Sequence, residues 1–188
     1  NTIAICSFGT GNPGSIVNIL KKVGCKAKVY SDPREISDFP LALILPGVGS
    51  YDFAVNKLKS KGWFDYLKNY SRNKGNILGI CLGMQLLCES SEEGNLNGLE
   101  IIPGRFEKFD YDVALKVPHM GWNEVNFTKL MPFKLNKLKR IQRFYFVHSY
   151  YYKHTNEKFI YAKTQYGNHF GSVIGTDNGR ILGVQFHP

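Results

Sequence analysis

At 188 residues, 43% hydrophobic and 21% charged, the chain has the size and balance expected of one soluble globular domain with a full core. No apolar run approaches the length of a bilayer span, and the start, NTIAICSFG, carries neither the basic head nor the long apolar stretch of a signal peptide, which is therefore not expected. The formal charge of +9 admits nucleic acid as a partner, but the cations are scattered; Lys57, Lys59 and Lys61, and the cluster Lys134, Lys137, Lys139 and Arg140, read better as a solvated face or a surface for an acidic partner subunit.

In chain order, TIAIC (2–6) is short, apolar and β-branched and runs into the turn SFGTGNPG, which predicts a buried first strand and a glycine-rich loop. GSIVNILKKVG has helical spacing, with Ile16, Ile19, Leu20 and Val23 on one face and Gly24 to close it. AKVY and LALIL read as strands, the second ending at Pro46. Residues 51–70 carry a helical pattern in Phe53, Val55, Leu58, Phe64 and Leu67, with a break at Gly62; NILGI is a further strand, and a helix starts at Leu82. This alternation predicts βαβ units and a mostly parallel sheet. From Leu99 to Phe186 the pattern changes to short alternating runs (EIIPGRFEKF, WNEVNF, RFYFVHSYYY, FIYAKTQY, GSVIG, ILGVQF), read as antiparallel strands folded onto that sheet. No repeat, low-complexity tract or linker divides the chain.

Of Cys6, Cys25, Cys81 and Cys88, none forms a CxxC pair, which argues against a zinc or thioredoxin-type site; with no secretory signal expected, they read as reduced thiols in a cytoplasm. Gly79-Ile80-Cys81-Leu82-Gly83 has the spacing of a nucleophile elbow. A side chain at either glycine would collide across so tight a strand-to-helix turn. The turn places the sulfur at the carboxyl edge of the sheet, at the positive end of a helix that favours thiolate, with the Leu82 N–H free to face an oxyanion. Cys88 falls at a helical core position and reads as structural.

Leu45-Pro46-Gly47-Val48-Gly49-Ser50 leaves a strand at the same edge, and the N–H groups of Val48 and Gly49 are candidates to complete an anion pocket. A cysteine nucleophile needs a base. His154 sits in a polar turn, His169 in a loop, and His119 in a loop with apolar flanks. His148 and His187 both end strands, with Pro188 expected to stop the second at the sheet edge. The residues alone leave both as candidates.

The segments GICLGMQLL, LPGVGS, VPHMGWNEV, FYFVHSYY and GVQFHP, in this order and spacing, resemble the class I glutamine amidotransferases, and more narrowly the glutaminase subunits of imidazole glycerol phosphate synthase. The likeness runs from FGTGN to the last residue. It implies a single glutaminase domain over 1–188 with a three-layer, flavodoxin-like α/β fold: a mostly parallel central sheet with added antiparallel strands. It implies Cys81 as nucleophile and His187 as base, oriented by a glutamate two residues later. The sequence stops at Pro188, so that glutamate and the final helix of the family lie outside it, and a truncated chain is expected. Leu82, Val48 and Gly49 match the oxyanion hole. Gly47, Gln85, Glu93, Ser149 and Tyr150 match the glutamine site, where a Glu93 carboxylate suits the substrate ammonium. Asn12, Met120, Trp122 and Asn123 match the face that meets a cyclase subunit.

On that resemblance the expected reaction is hydrolysis of L-glutamine to glutamate and ammonia through a cysteine thioester, with no metal or organic cofactor. The ammonia passes to a TIM-barrel cyclase, in a cytoplasmic heterodimer that makes imidazole glycerol phosphate and AICAR for histidine biosynthesis. Ser7-Phe8 stands where an Asp-Tyr pair is frequent in the family, and Pro13-Gly14 where larger residues are frequent. These departures keep open a paralogue that feeds another synthase, such as one aminating a surface-polysaccharide sugar. A non-catalytic regulatory subunit on the same fold is the third reading.

Overall fold

The computed structural model describes residues 2–110, 115–128, 141–153 and 156–187. The basic cluster at 134–140, His154 and Pro188 lie outside the described residues.

The first half alternates as expected: β1 (Ile3–Cys6), α1 (Pro13–Lys22), β2 (Ala27–Tyr30), β3 (Ala42–Leu45), α2 (Tyr51–Ser60), α3 (Trp63–Arg72), β4 (Ile77–Ile80) and α4 (Leu82–Leu87). Asn12 caps α1, its Oδ1 accepting from Ser15 N at 3.3 Å, and Pro13 follows with a φ already suited to the first turn. Gly62, at φ 75°, makes the break between α2 and α3 that a residue with a Cβ would resist. The second half supplies β5 (Ser90–Ser91), β6 (Arg105–Lys108), β7 (His119–Phe127), β8 (Ile141–His148), β9 (Tyr150–Lys153), β10 (Ile160–Tyr166), β11 (Asn168–Gly175) and β12 (Ile181–Val184).

One sheet runs in the order β2-β1-β3-β4-β12-β11-β10-β7-β8. Its first five strands are parallel and the rest antiparallel. The apolar strands alternate between two cores. Ala4, Cys6, Leu43 and Leu45 face α2, α3 and α4, where Tyr51, Leu58, Trp63 and Leu67 are fully buried; Ile5, Ile44 and Ile80 face Ile16, Val17 and Leu20 of α1. Helices on both faces make the three layers. A third, aromatic cluster of Phe109, Phe127, Phe146, Tyr161, Phe170 and Phe186 underlies the antiparallel strands.

Several expectations need correction. Val23 and Phe53 are 67% and 50% exposed, so neither belongs to a core face: Val23 falls after the last residue of α1, whose packed face carries Val17, and on α2 the buried face is Tyr51, Ala54, Val55 and Leu58, which leaves Phe53 on the solvent side. ILGVQF is not an antiparallel addition: β12 pairs parallel with β4 and antiparallel with β11, and so joins the two parts of the sheet. Residues 100–102 form no strand, and His169 lies within β11, exposed. Lys59 and Lys61 are exposed and Lys57 half-buried, as a solvated face requires.

Because β1, β3, β4 and β12 run parallel, their carboxyl ends open on one edge. The segments that follow them, including Gly9–Asn12, Pro46–Ser50, Cys81 and Gln185–His187, converge there.

Candidate active site

The elbow after β4 is as tight as its glycines suggest. Cys81 has φ 54° and ψ −110°, outside the regions open to ordinary L-residues. Its N–H donates to Val184 O at 2.8 Å, and its carbonyl accepts from Met84 N at 2.9 Å. A Cβ on Gly83 would stand 1.8 Å from Leu45 O, one on Gly79 2.6 Å from Gly83 O, and one on Gly47 2.9 Å from the Leu82 Cβ. Cys88 is fully buried at the end of α4, its Sγ donating to Met84 O at 3.6 Å.

β12 lies beside β4 with Val184 opposite Ile80, so the residues after β12 pass alongside Cys81. Gln185 Nε2 donates to Cys81 Sγ at 3.8 Å. The strand ends at Val184, before His187, so a stop at Pro188 is not what places this imidazole. His187 N donates to Tyr145 O on β8 at 3.0 Å, and the preceding Phe186 stacks on Phe144 at 3.9 Å between centroids. His187 Nε2 is buried without a hydrogen-bond partner among the described residues, and so is Gln85 Oε1.

A cavity of about 350 Å³ opens at this edge, lined by Val48, Gly49, Cys81, Leu82, Gln85, Glu93, Pro118, Val147, His148, Ser149, Tyr150 and His187. The candidate nucleophile, base, anion-pocket and glutamine residues thus share one cavity, with Gly47 packed directly behind Leu82. Unpartnered polar atoms on a cavity wall are the ones a ligand would satisfy. The Gln85 side chain donates to the Glu93 carboxylate, whose pKa is nevertheless raised by burial.

The electrostatics correct one expectation. Burial pushes the Cys81 thiol up to about 11, and Glu93 adds to this; the hydrogen bonds from Leu82 N–H and the Gln185 side chain pull the other way without reversing it. A helix of six residues does not outweigh the desolvation of the thiolate. Burial also lowers the His187 pKa, which leaves the imidazole neutral and able to accept a proton at neutral pH.

His148 also lines the cavity, but its ring is committed. Its Nδ1 donates to Tyr150 O at 2.8 Å, and its Nε2 accepts from His119 Nδ1 at 2.9 Å. His119 is not in a loop: it is the first residue of β7 and is buried. Among the described residues, no cluster of three His, Cys, Asp or Glu is placed to hold a metal.

A family model described as glutamine amidotransferase class-I matches residues 4–188. The chain belongs to this family. Over 187 residues, the amidotransferase is 47% identical to "Imidazole glycerol phosphate synthase subunit HisH 2" of Methanococcus maripaludis, covering 99% of this chain and 91% of that one. It is 40% identical to the subunit HisH of Leptospira borgpetersenii (99% and 91% covered) and 42% identical to that of Listeria monocytogenes (99% and 87%). A solved glutamine amidotransferase superposes with a TM-score of 0.76 at 16% identity, covering all of this chain and 90% of the other. The solved PurLQS from Thermotoga maritima gives 0.70 at 14%, covering 100% and 87%. At such identities these two structures speak to the fold alone.

The face expected to meet a partner divides. Exposure alternates along β7, so Met120 and Trp122 point outward, 61% and 65% exposed, while Asn123 lies on the inner face with His119. Asn123 Nδ2 reaches Gln165 O at 3.0 Å and His119 Nε2 at 3.1 Å, which takes its side chain away from the outer face. Asn12 is exposed, with its side chain capping α1. Residue patterns missed Gln185, Tyr145 and Val147. Gln185 was legible as the strand neighbour of the elbow only once β12 was known to pair with β4; Tyr145 and Val147 are cross-strand partners of Trp122 and Met120 and extend their apolar face.

Proposed function

We propose that this amidotransferase is the glutaminase subunit of an imidazole glycerol phosphate synthase, hydrolysing L-glutamine to glutamate and ammonia with Cys81 and His187. The observation that carries the reading is that an elbow cysteine, an uncommitted imidazole and the glutamine-site residues line one cavity. The names of relatives at 38–47% identity over nearly the whole chain support the histidine-pathway assignment.

The thiol is neutral at rest, so the reaction starts with His187 taking the Sγ proton as sulfur attacks the side-chain amide carbon. The N–H of Leu82 and those of Val48 and Gly49 stabilise the oxyanion. His187 returns the proton to the departing nitrogen, ammonia leaves, and a thioester remains. His187 then deprotonates water, whose attack releases glutamate and restores the thiol. Gln85, Glu93 and the backbone of Ser149 and Tyr150 hold the substrate, Glu93 pairing with its ammonium group. Gly47 lets Leu82 approach.

The outward row of Met120, Trp122, Tyr145 and Val147, the last of which lines the cavity, is the surface on which a cyclase subunit would dock, and Asn12, exposed at the start of α1, is the further residue assigned to that partner. Residues 1–188 form a single glutaminase domain in this reading, which the continuous sheet supports. No helix among the described residues is long and apolar enough to cross a membrane, which fits a cytoplasmic enzyme. Of the departures from the family pattern, Phe8 is fully buried and varies the core, whereas Ser7 and Pro13 are half-buried and Gly14 is exposed; a paralogue with another acceptor therefore stays as the second reading.

The test is glutamate release from L-glutamine by the full-length protein, alone and with the cyclase subunit and its nucleotide ligand. Strong stimulation by the cyclase is expected, and Cys81→Ala should abolish release while leaving the circular dichroism spectrum unchanged. Turnover without stimulation would point to another acceptor enzyme. Activity retained by Cys81→Ala would remove the cysteine from the mechanism.

A further inference from the structure

β8 ends at His148 and β9 begins at Tyr150, so the chain passes between strands with different partners across Ser149 alone. β8 pairs with β7, whereas β9 pairs with β6 and β11. This one-residue joint lines the glutamine cavity. Two hydrogen bonds hold it: Phe109 N donates to Ser149 O at 3.1 Å, and His148 Nδ1 reaches across Ser149 to Tyr150 O at 2.8 Å.

A carbonyl only accepts, so His148 carries its proton on Nδ1, and the neutral ring then accepts at Nε2. His119 must donate from Nδ1 and accept at Nε2, where Asn123 Nδ2 donates at 3.1 Å. Every link in the run Asn123, His119, His148, Tyr150 therefore has one direction. The His119 ring is clamped between Tyr166 and Phe146, at 3.9 and 4.8 Å between centroids. Burial lowers the pKa of both histidines, to about 4 and about 3, which keeps them neutral and the direction constant.

We propose that His148, oriented by His119, is a positioning residue that sets the Ser149–Tyr150 backbone for glutamine binding. The proposal rests on the glutaminase reading above. The relay begins on the inner face of β7, whose outer face carries Met120 and Trp122, so the docking row and the start of the relay to the glutamine joint share one strand.

The two ring nitrogens can be tested separately. His148→Asn keeps a donor at the Nδ1 position and loses the link to His119; His148→Gln keeps the link and loses the donor to Tyr150. In a Cys81→Ala background, calorimetry should show His148→Asn, whose donor remains but is no longer held by His119, weakening glutamine binding about threefold. His148→Gln should weaken it about tenfold, the effect of one lost buried hydrogen bond. With Cys81 restored, the loss should appear in KM more than in kcat. Equal weakening by both variants would mean that the histidine only fills space, and unchanged affinity in His148→Gln would also overturn the proposal. If His148→Gln does not fold, His119→Leu carries the test: it lies outside the cavity and frees the His148 ring, and glutamine affinity equal to the parent's would again overturn it. A Cys81→Ala parent that binds no glutamine would sink the glutaminase reading, and this inference with it.

Discussion

Cys81 holds a backbone conformation that costs of order 1–3 kcal/mol for a residue with a Cβ. The surrounding contacts over-determine it: Val184 O and Met84 N anchor the peptide groups, and Gly79, Gly83 and Gly47 let three segments close on it. The glycines are therefore part of the site. Gly83→Ala would drive a methyl into the Leu45 carbonyl, which is backbone at the end of β3, paired with Gly79 of β4, and cannot move aside cheaply. We expect a loss of about 3 kcal/mol or more in urea unfolding. A loss below about 0.5 kcal/mol, the range of surface substitutions, would show that the elbow is looser than described. At this scale the sequence was most legible, because the G-x-C-x-G spacing is local and its steric reason is local too. The state of the thiol was not legible: desolvation depends on everything packed around Sγ, and burial outweighed the helix end.

Elements join these residues through strand order. β12 beside β4 brings Gln185 and His187 to Cys81 across more than 100 residues of chain. The β7–β8 pair places His119 opposite His148. That histidine pair has a consequence for stability. Both rings are neutral in the folded protein, with pKa values drawn below the ordinary 6.5 to about 4 and about 3, while the unfolded chain protonates them near 6.5. Below pH 6.5 the unfolded state thus binds more protons, so their contribution is fully present above that pH. It falls away as pH drops from about 6.5 through about 4 and 3. Urea midpoints measured between pH 7.5 and 4 should decline, and His119→Gln, which removes one of the two titrating rings, should decline less over the same range. Parallel curves would show that the pair does not titrate as described.

At the scale of the whole molecule, the parallel strands gather their carboxyl ends on one edge, and the antiparallel extension sets an apolar row beside it. Met120 and Trp122 from β7, with Tyr145 and Val147 from β8, present the aromatic and aliphatic anchors from which interface hot spots are built. Trp122→Ala should weaken binding of the proposed cyclase partner by about 2 kcal/mol, roughly thirtyfold in Kd, the scale expected of an exposed indole that docking would bury. The unfolding midpoint of the isolated chain should barely change, since the ring is 65% exposed. A fall in stability with unchanged affinity would place Trp122 in the fold rather than at the interface.

The sequence by itself determined the alternation of strands and helices, the elbow and the glycine loop after β3, because hydrophobic period and turn sterics act over a few residues. It also carried enough family pattern to favour His187 over His148. Tertiary structure decided what depends on pairing. It joined ILGVQF to β4, turned Asn123 inward while Met120 and Trp122 faced out, and moved His119 from an expected loop into a buried pair. It also left His187 with a free nitrogen while fixing both of those on His148. Two strand-end histidines look alike along the chain; only the neighbours that strand order supplies settle which hydrogen bonds each can make.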